Sequence, residues 1–219
     1  MTDIKNIKGA IFDCDGTLLD SMPVWVWVEQ EYLVRLGLTA RPDLVEAVRP
    51  FNPIEVAEYF QAEYGVDKSV EEIIAGRNQL MEECYFQQAV LKDGVVPVLE
   101  RLSDGGVKMC VATATDKYLV EEALRRCGIM RYFERVFTCS EENTSKSSPD
   151  IFIRAASFLK TDIESTVVIE DALHAIRSAK SAGFPVVAVY DMSEESHREE
   201  IRALSDYYFE SVGGMLNIM

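Results

Sequence analysis

The residues able to do chemistry in this 219-residue chain lie in four short stretches, each placed where an apolar run gives way to a polar one. Asp13 and Asp15 follow Lys8–Phe12, with Gly16 and Thr17 directly after them. Thr113 follows Val107–Ala112 and leads into Ala114, Thr115 and Asp116. Lys146 lies in the loop after Arg135–Thr138, and Glu170 and Asp171 close Thr166–Ile169. In an open parallel sheet, sites form beyond the carboxyl ends of the strands, so these stretches would share one edge. Carboxylates, a hydroxyl, an ammonium and further carboxylates suit phosphoryl transfer through an aspartyl-phosphate. A phosphoryl group repels an approaching carboxylate, so a cation must bridge them. Asp13 with Asp171 could hold Mg²⁺, a hard ion that prefers oxygen ligands. Asp13 would then attack phosphorus in line. Asp15 would protonate the leaving alkoxide and later deprotonate the water that cleaves the intermediate. Thr113 and Lys146 would hold the charge spread over the transferring group. Gly16 allows close backbone approach beside the phosphate, and Thr17 and Ala114 are the candidate substrate-binding positions there. Glu170 could bind the metal directly, act through water, or shape the site.

The elements that must position these residues follow from the apolar rhythm. Short continuous apolar runs alternate with amphipathic stretches after residue 95, which indicates a parallel α/β sheet. Strands are expected at Lys8–Phe12, Val107–Ala112, Arg135–Thr138, Thr166–Ile169 and Val186–Val189. Helices are expected at Val95–Leu102, Lys117–Cys127 closed by Gly128, Pro149–Leu159, and Leu173–Ala182 closed by Gly183. Residues 21 to 88 read as all-helical. Asn52-Pro53 has the form of an N-cap followed by Pro at the first helical position, opening Ile54–Tyr64. Ser69-Val-Glu-Glu72 is a capping-box signature. Val24–Val28 would suit a strand by propensity, but Pro23 and the run Glu29–Leu36 favour helix. The first strand stands alone before this stretch, so residues 21–88 are an insertion into a core made of residues 1–20 and 89–219.

These same residues carry a family resemblance. Asp13-x-Asp15-Gly16-Thr17 resembles the first motif of the haloacid dehalogenase superfamily. Thr113 at a strand end resembles the second, Lys146 with Pro149-Asp150-x-Phe152 the third, and Glu170-Asp171 the fourth. The resemblance covers the whole chain. It implies a Rossmann-like parallel-sheet core with a mobile, all-helical cap of the C1 type, and Mg²⁺-dependent phosphate-ester chemistry. It also implies that Asp13 is the nucleophile and Asp15 the acid–base group, and that Asp13, the backbone carbonyl of Asp15, and Asp171 ligate the metal. The subgroup it most resembles holds the β-phosphoglucomutase-like and phosphoglycolate-phosphatase-like enzymes. The third motif commonly reads Lys-Pro-x-Pro-Asp there. Here it is Lys146-Ser-Ser-Pro149-Asp150, which loosens the loop but keeps the cation. Asp15 argues against the dehalogenase branch, which lacks the second acid, and against the phosphonatase branch, which has a small residue there.

Other conspicuous residues have plainer readings. Thr115 or Asp116 is expected to cap the next helix. Cys14 is expected to pack inward, His174 to lie on a helix surface, and His197 to be a solvated helix residue in the charged run Glu194–Arg198. Trp25 and Trp27 are two apart and cannot share one helix face, so one would pack in the cap while the other shields the site. Arg49 is a candidate cap cation for a second anionic group of the substrate.

Composition sets the outer limits. The chain is 48% apolar and 27% charged, enough to bury a core. Lys plus Arg number 22 against 37 Asp plus Glu, a net charge of −15, which argues against nucleic-acid partners and anionic membrane surfaces. Five cysteines without a C-x-x-C pair point to reduced thiols and a cytoplasmic protein, expected as a monomer or weak homodimer. The expected function is Mg²⁺-dependent hydrolysis of a small phosphorylated metabolite. A phosphomutase is the alternative, disfavoured because Asp20–Leu36 contains no histidine. A non-catalytic phosphate-binding module is the remaining one.

Overall fold

A computed structural model describes residues 6–48, 51 and 53–219. Arg49 and Asn52, a substrate-binding candidate and an expected N-cap, lie outside the described residues. The chain divides into two compact units, Met1–Asp20 with Ala89–Met219, and Ser21–Gln88.

The first unit is built on six strands: β1 (Gly9–Phe12), β2 (Lys108–Thr113), β3 (Val136–Thr138), β4 (Thr166–Glu170), β5 (Val186–Val189) and β6 (Tyr207–Phe209). Their spatial order is β3-β2-β1-β4-β5-β6, and every adjacent pair is parallel. Strands β1 and β5 are buried along their full length, as continuous apolar runs require when both sheet faces are covered. Phe12 stands opposite Val111 on one side and Ile169 on the other. Asp13 therefore leaves the sheet between the ends of β2 and β4. The chain order reverses about β1, and this switch point is where an open parallel sheet leaves a crevice.

The inserted unit comprises α1 (Met22–Arg35), α2 (Leu44–Val48), α3 (Pro53–Tyr64) and α4 (Val70–Gln87). Val24–Val28 is helical despite its strand propensity. Val28, Glu29, Tyr32 and Leu33 form the buried stripe of α1, a helical spacing, and that burial outweighs local preference. Both halves of the Ser69–Glu72 capping box are made: the Glu72 amide donates to Ser69 Oγ at 3.2 Å, and the Ser69 amide to Glu72 Oε2 at 2.8 Å.

Flanking the sheet are α5 (Val95–Asp104), α6 (Lys117–Arg126), α7 (Asp150–Leu159), α8 (Leu173–Ser181) and α9 (Arg198–Leu204). Three details depart from the sequence reading. Arg135 lies outside β3 and stacks its guanidinium over the Phe137 ring at 4.2 Å. Pro149 is the N-cap of α7 rather than its first residue. Strand β6 was not expected, and the charged helical run expected at Glu194–Arg198 extends as α9 to Leu204; β6 is a three-residue, half-buried edge strand, too short to show a period. Among the described residues, no helix is long and apolar enough to cross a membrane.

Candidate active site

The parallel sheet brings the carboxyl ends of β1, β2 and β4 to one edge, and the expected residues meet there. Asp13 follows β1, and its amide donates to the Ile169 carbonyl of β4 at 2.9 Å. Its carboxylate is buried, with Oδ1 accepting from Lys146 Nζ. Lys146 also donates to Glu170 Oε1 at 2.6 Å, so one ammonium spans two carboxylates. Glu170 Oε2 accepts the amides of Asp171 and Ala172, both at 2.9 Å. Both Glu170 oxygens are thus engaged inside the protein, and the residue is fully buried. The third-motif loop closes without the usual proline, through Ser148 N–H to the Ser145 carbonyl at 3.1 Å.

The turn after β1 is built around Gly16. Its φ is +84°, a left-handed conformation that favours glycine. A Cβ here would also lie 2.8 Å from Asp171 Cγ. The backbone of this turn packs directly on the fourth-motif acid. Thr17 is fully buried and donates from Oγ1 to Asp171 Oδ1 at 3.1 Å. Asp15 is half-buried, in contrast to Asp13. Thr113 is buried, and its Oγ1 accepts the Thr115 amide at 3.1 Å. Ala114 is exposed beside it.

The electrostatics show a surplus of negative charge. Asp13, Glu170 and Asp171 each place a carboxylate oxygen so that all lie within 4.8 Å of one another, against the single charge of Lys146. Burial pushes the Asp13 carboxyl up to about 7, with Glu170 and Asp15 adding to the rise and Lys146 opposing it. Burial, then the charges of Glu170 and Asp13, holds Asp171 well above the ordinary carboxylate range. Burial works against the Lys146 charge, but Asp13 and Glu170 outweigh it and raise its pKa. Buried acids that resist ionisation in the protein alone, with hard oxygen donors converging, fit a divalent cation.

Sequence reasoning missed two contributors. Thr115 does not cap α6. Asp116 stands at the N-cap without a side-chain bond, and Thr115 Oγ1 donates to Asp15 Oδ2 at 2.7 Å. A hydroxyl two residues after Thr113 was the available signal, and helix capping explained it equally well. Lys92 carried no signal in the sequence, yet its Nζ donates to the Gly16 carbonyl at 2.6 Å. The plainer readings fare unevenly: Trp25 is exposed and Trp27 half-buried, so neither is packed in an interior, whereas Cys14 is fully buried, and burial followed by the charges of Asp15 and Asp13 pushes its thiol well up. His174 is exposed, while His197 is only half-buried, its Nδ1 2.8 Å from Glu194 Oε2.

A family model described as "Haloacid dehalogenase-like hydrolase" matches residues 10–189. The chain is 28% identical to (DL)-glycerol-3-phosphatase 1, mitochondrial, of Arabidopsis thaliana, over 85% of this chain and 65% of that protein. It therefore spans just under two thirds of that protein's length. It is also 28% identical to a probable pseudouridine-5'-phosphatase of Drosophila melanogaster, over 96% of this chain and 95% of that one. The crystal structure of a putative beta-phosphoglucomutase from Thermotoga maritima superposes with a TM-score of 0.84 at 21% identity, covering 97% of this chain and 98% of that chain. That likeness is one of fold.

Proposed function

The chain belongs to the haloacid dehalogenase-like hydrolases, and from that premise we propose that it is a Mg²⁺-dependent phosphatase that hydrolyses a small phosphomonoester through phospho-Asp13. One observation carries the reading: the buried Asp13 carboxylate, held by Lys146, lies beside Glu170 and Asp171 at the switch point of the sheet. The phosphatase names of two relatives support a small phosphorylated substrate.

Asp13 and Asp171, with the Asp15 carbonyl, are the residues that would hold Mg²⁺. The ion, when bound, offsets the charge between phosphate and carboxylate. Glu170, with both oxygens engaged, orients Lys146 and the turn into α8 instead. Asp13 attacks phosphorus and expels the alkoxide, to which Asp15 gives its proton. Asp15, now ionised and held by Thr115, takes a proton from water as that water attacks phospho-Asp13. Phosphate leaves and Asp13 is restored. Lys146 and the Thr113 hydroxyl hold the equatorial charge, and Thr17 fixes Asp171.

The test is phosphate release from a panel of phosphorylated metabolites, including hexose 1-phosphates, with and without Mg²⁺. Mg²⁺-dependent release that vanishes in Asp13→Asn is the expected result. Isomerisation of a hexose phosphate without release would replace hydrolysis by mutase chemistry. Binding without any turnover would leave only the phosphate-binding module.

A further inference from the structure

Lys92 lies in the segment by which the chain re-enters the first unit, just before α5. Its Nζ donates to three acceptors: the Gly16 carbonyl at 2.6 Å, the Tyr190 carbonyl at 2.9 Å and Asp191 Oδ2 at 2.7 Å. An ammonium has three protons, so this one is saturated, and its side chain is only 15% exposed. Asp191 follows β5 and is itself buried. Its second oxygen accepts the Ser193 amide at 2.9 Å.

The other end of this tether is the catalytic turn. Gly16 is held at both faces of its backbone: its amide donates to the Leu19 carbonyl at 2.9 Å, and its carbonyl accepts from Lys92. The Lys92 amide meanwhile donates to the Leu18 carbonyl at 3.0 Å, and the Asp20 amide to the Val90 carbonyl at 2.9 Å. The side chain and backbone of one residue therefore hold the Gly16 and Leu18 carbonyls, at the middle and just past the end of the turn that carries Asp15 and walls Asp171. Holding a long, flexible lysine side chain in one place costs rotamer entropy, which a solvated alternative would not require.

We propose that Lys92 is a positioning residue for phosphoryl transfer, fixing the Asp13–Thr17 turn by tethering the Gly16 carbonyl to the loop after β5. The proposal rests on the phosphatase reading above for its catalytic consequence, and on the geometry alone for the tether. A residue that only braces the fold would lower stability and leave kcat intact. A positioning residue lowers kcat at constant KM and loosens this turn first.

The experiment compares the full-length protein with Lys92→Met, and with the double variant Lys92→Met, Asp191→Asn, which leaves no buried charge unpaired should the single variant fold poorly. Amide hydrogen exchange reads the turn without reference to activity. The Gly16, Leu18 and Leu19 amides are expected to exchange about tenfold faster or more in both variants, with the β1 and β4 amides unchanged. With the ester of the metabolite panel that the unsubstituted protein hydrolyses fastest, at saturation and with Mg²⁺, kcat should fall about tenfold or more while KM moves less than about threefold. Lys92→Arg should recover part of both. Unchanged exchange in the turn would overturn the tether. Loosened exchange with full kcat would overturn the positioning role. Absence of turnover in the unsubstituted protein would fall on the phosphatase reading instead, and exchange would then decide the tether by itself.

Discussion

Asp13 and Asp15 are the same residue type two positions apart, and their surroundings suit them to the different work the proposed mechanism gives each. Asp13 is buried against Lys146 and shielded from water, as a nucleophile would be. Asp15 is half-exposed and steadied by Thr115, where it can meet both leaving group and solvent. The two acids should therefore fail differently. Asp13→Asn should abolish turnover, about 10⁴-fold or more, with no acid-stable phosphoprotein formed. Asp15→Asn should lose about 10²–10⁴-fold with alkyl esters. With an activated aryl phosphate, whose leaving group needs no proton, it should still form phosphoenzyme that then persists. Trapping by rapid acid quench checks this, and equal loss with both ester types would count against the acid–base role. Thr115→Val should cost about tenfold in kcat, one hydrogen bond to a charged group, with KM unchanged. Asp13, Lys146 and Asp171 were legible because their order along the chain matches one chemistry at successive strand ends. The role of Thr115 was not, because a hydroxyl just before a helix serves a cap or a carboxylate equally well. Only a neighbour 100 positions away decides between them.

The elements were read most reliably where one signal acted alone. The parallel strands of the core announce themselves as unbroken apolar runs, and the Ser69 capping box sits where its spacing places it. Helix α1 shows competing signals, and its buried stripe settled them. That stripe contains a feature no periodicity reveals. Glu29 is buried on α1 and pairs bidentately with Arg77, buried on α4, with Arg77 Nε donating to Glu29 Oε2 at 2.9 Å. Next to it, a Cβ on Gly76 would meet the Tyr32 ring at 2.6 Å, so the two helices pass in close contact. A buried ion pair contributes little net stability when both partners can be replaced by apolar groups, but breaking it strands a charge. Glu29→Ala should therefore destabilise the inserted unit by about 3–5 kcal/mol in urea unfolding, whereas Glu29→Leu with Arg77→Met should be near neutral or stabilising. A double variant as unstable as the single one would show that the pair, and not the stranded charge, holds α1 to α4. Ser69→Ala should cost about 1 kcal/mol, the usual loss of an N-cap.

At the scale of the whole molecule, a net charge of −15 already favours binding of cations, and the Asp13–Glu170–Asp171 cluster concentrates that surplus where water cannot screen it. The consequence is a coupling between pH, metal and stability. An acid whose pKa is raised on folding weakens the fold when it must ionise. Well below its ordinary value of 3.8, Asp13 carries its proton in folded and unfolded chains alike, and no penalty arises. Between its ordinary value of 3.8 and about 7, the unfolded chain releases the proton while folded Asp13 keeps it, so stability falls as pH rises. Above that window the full penalty remains. Asp171, raised in the same direction by burial and by Glu170 and Asp13, adds to it. In the metal-free protein, Asp13→Asn should therefore be more stable than the unsubstituted chain at pH 8, by about 1–3 kcal/mol, or roughly 2–10 °C in Tm for a chain of this length. The difference should shrink as pH falls and vanish about one pH unit below 3.8. Added Mg²⁺ should raise the Tm of the unsubstituted protein with a dependence on its concentration, and should close the gap because the variant has lost a metal ligand. Melting curves taken with chelator and with Mg²⁺ across this pH range test the whole coupling. A gap that stays constant with pH would mean that Asp13 ionises freely in the fold, and the surplus of buried negative charge would not be what draws the cation in.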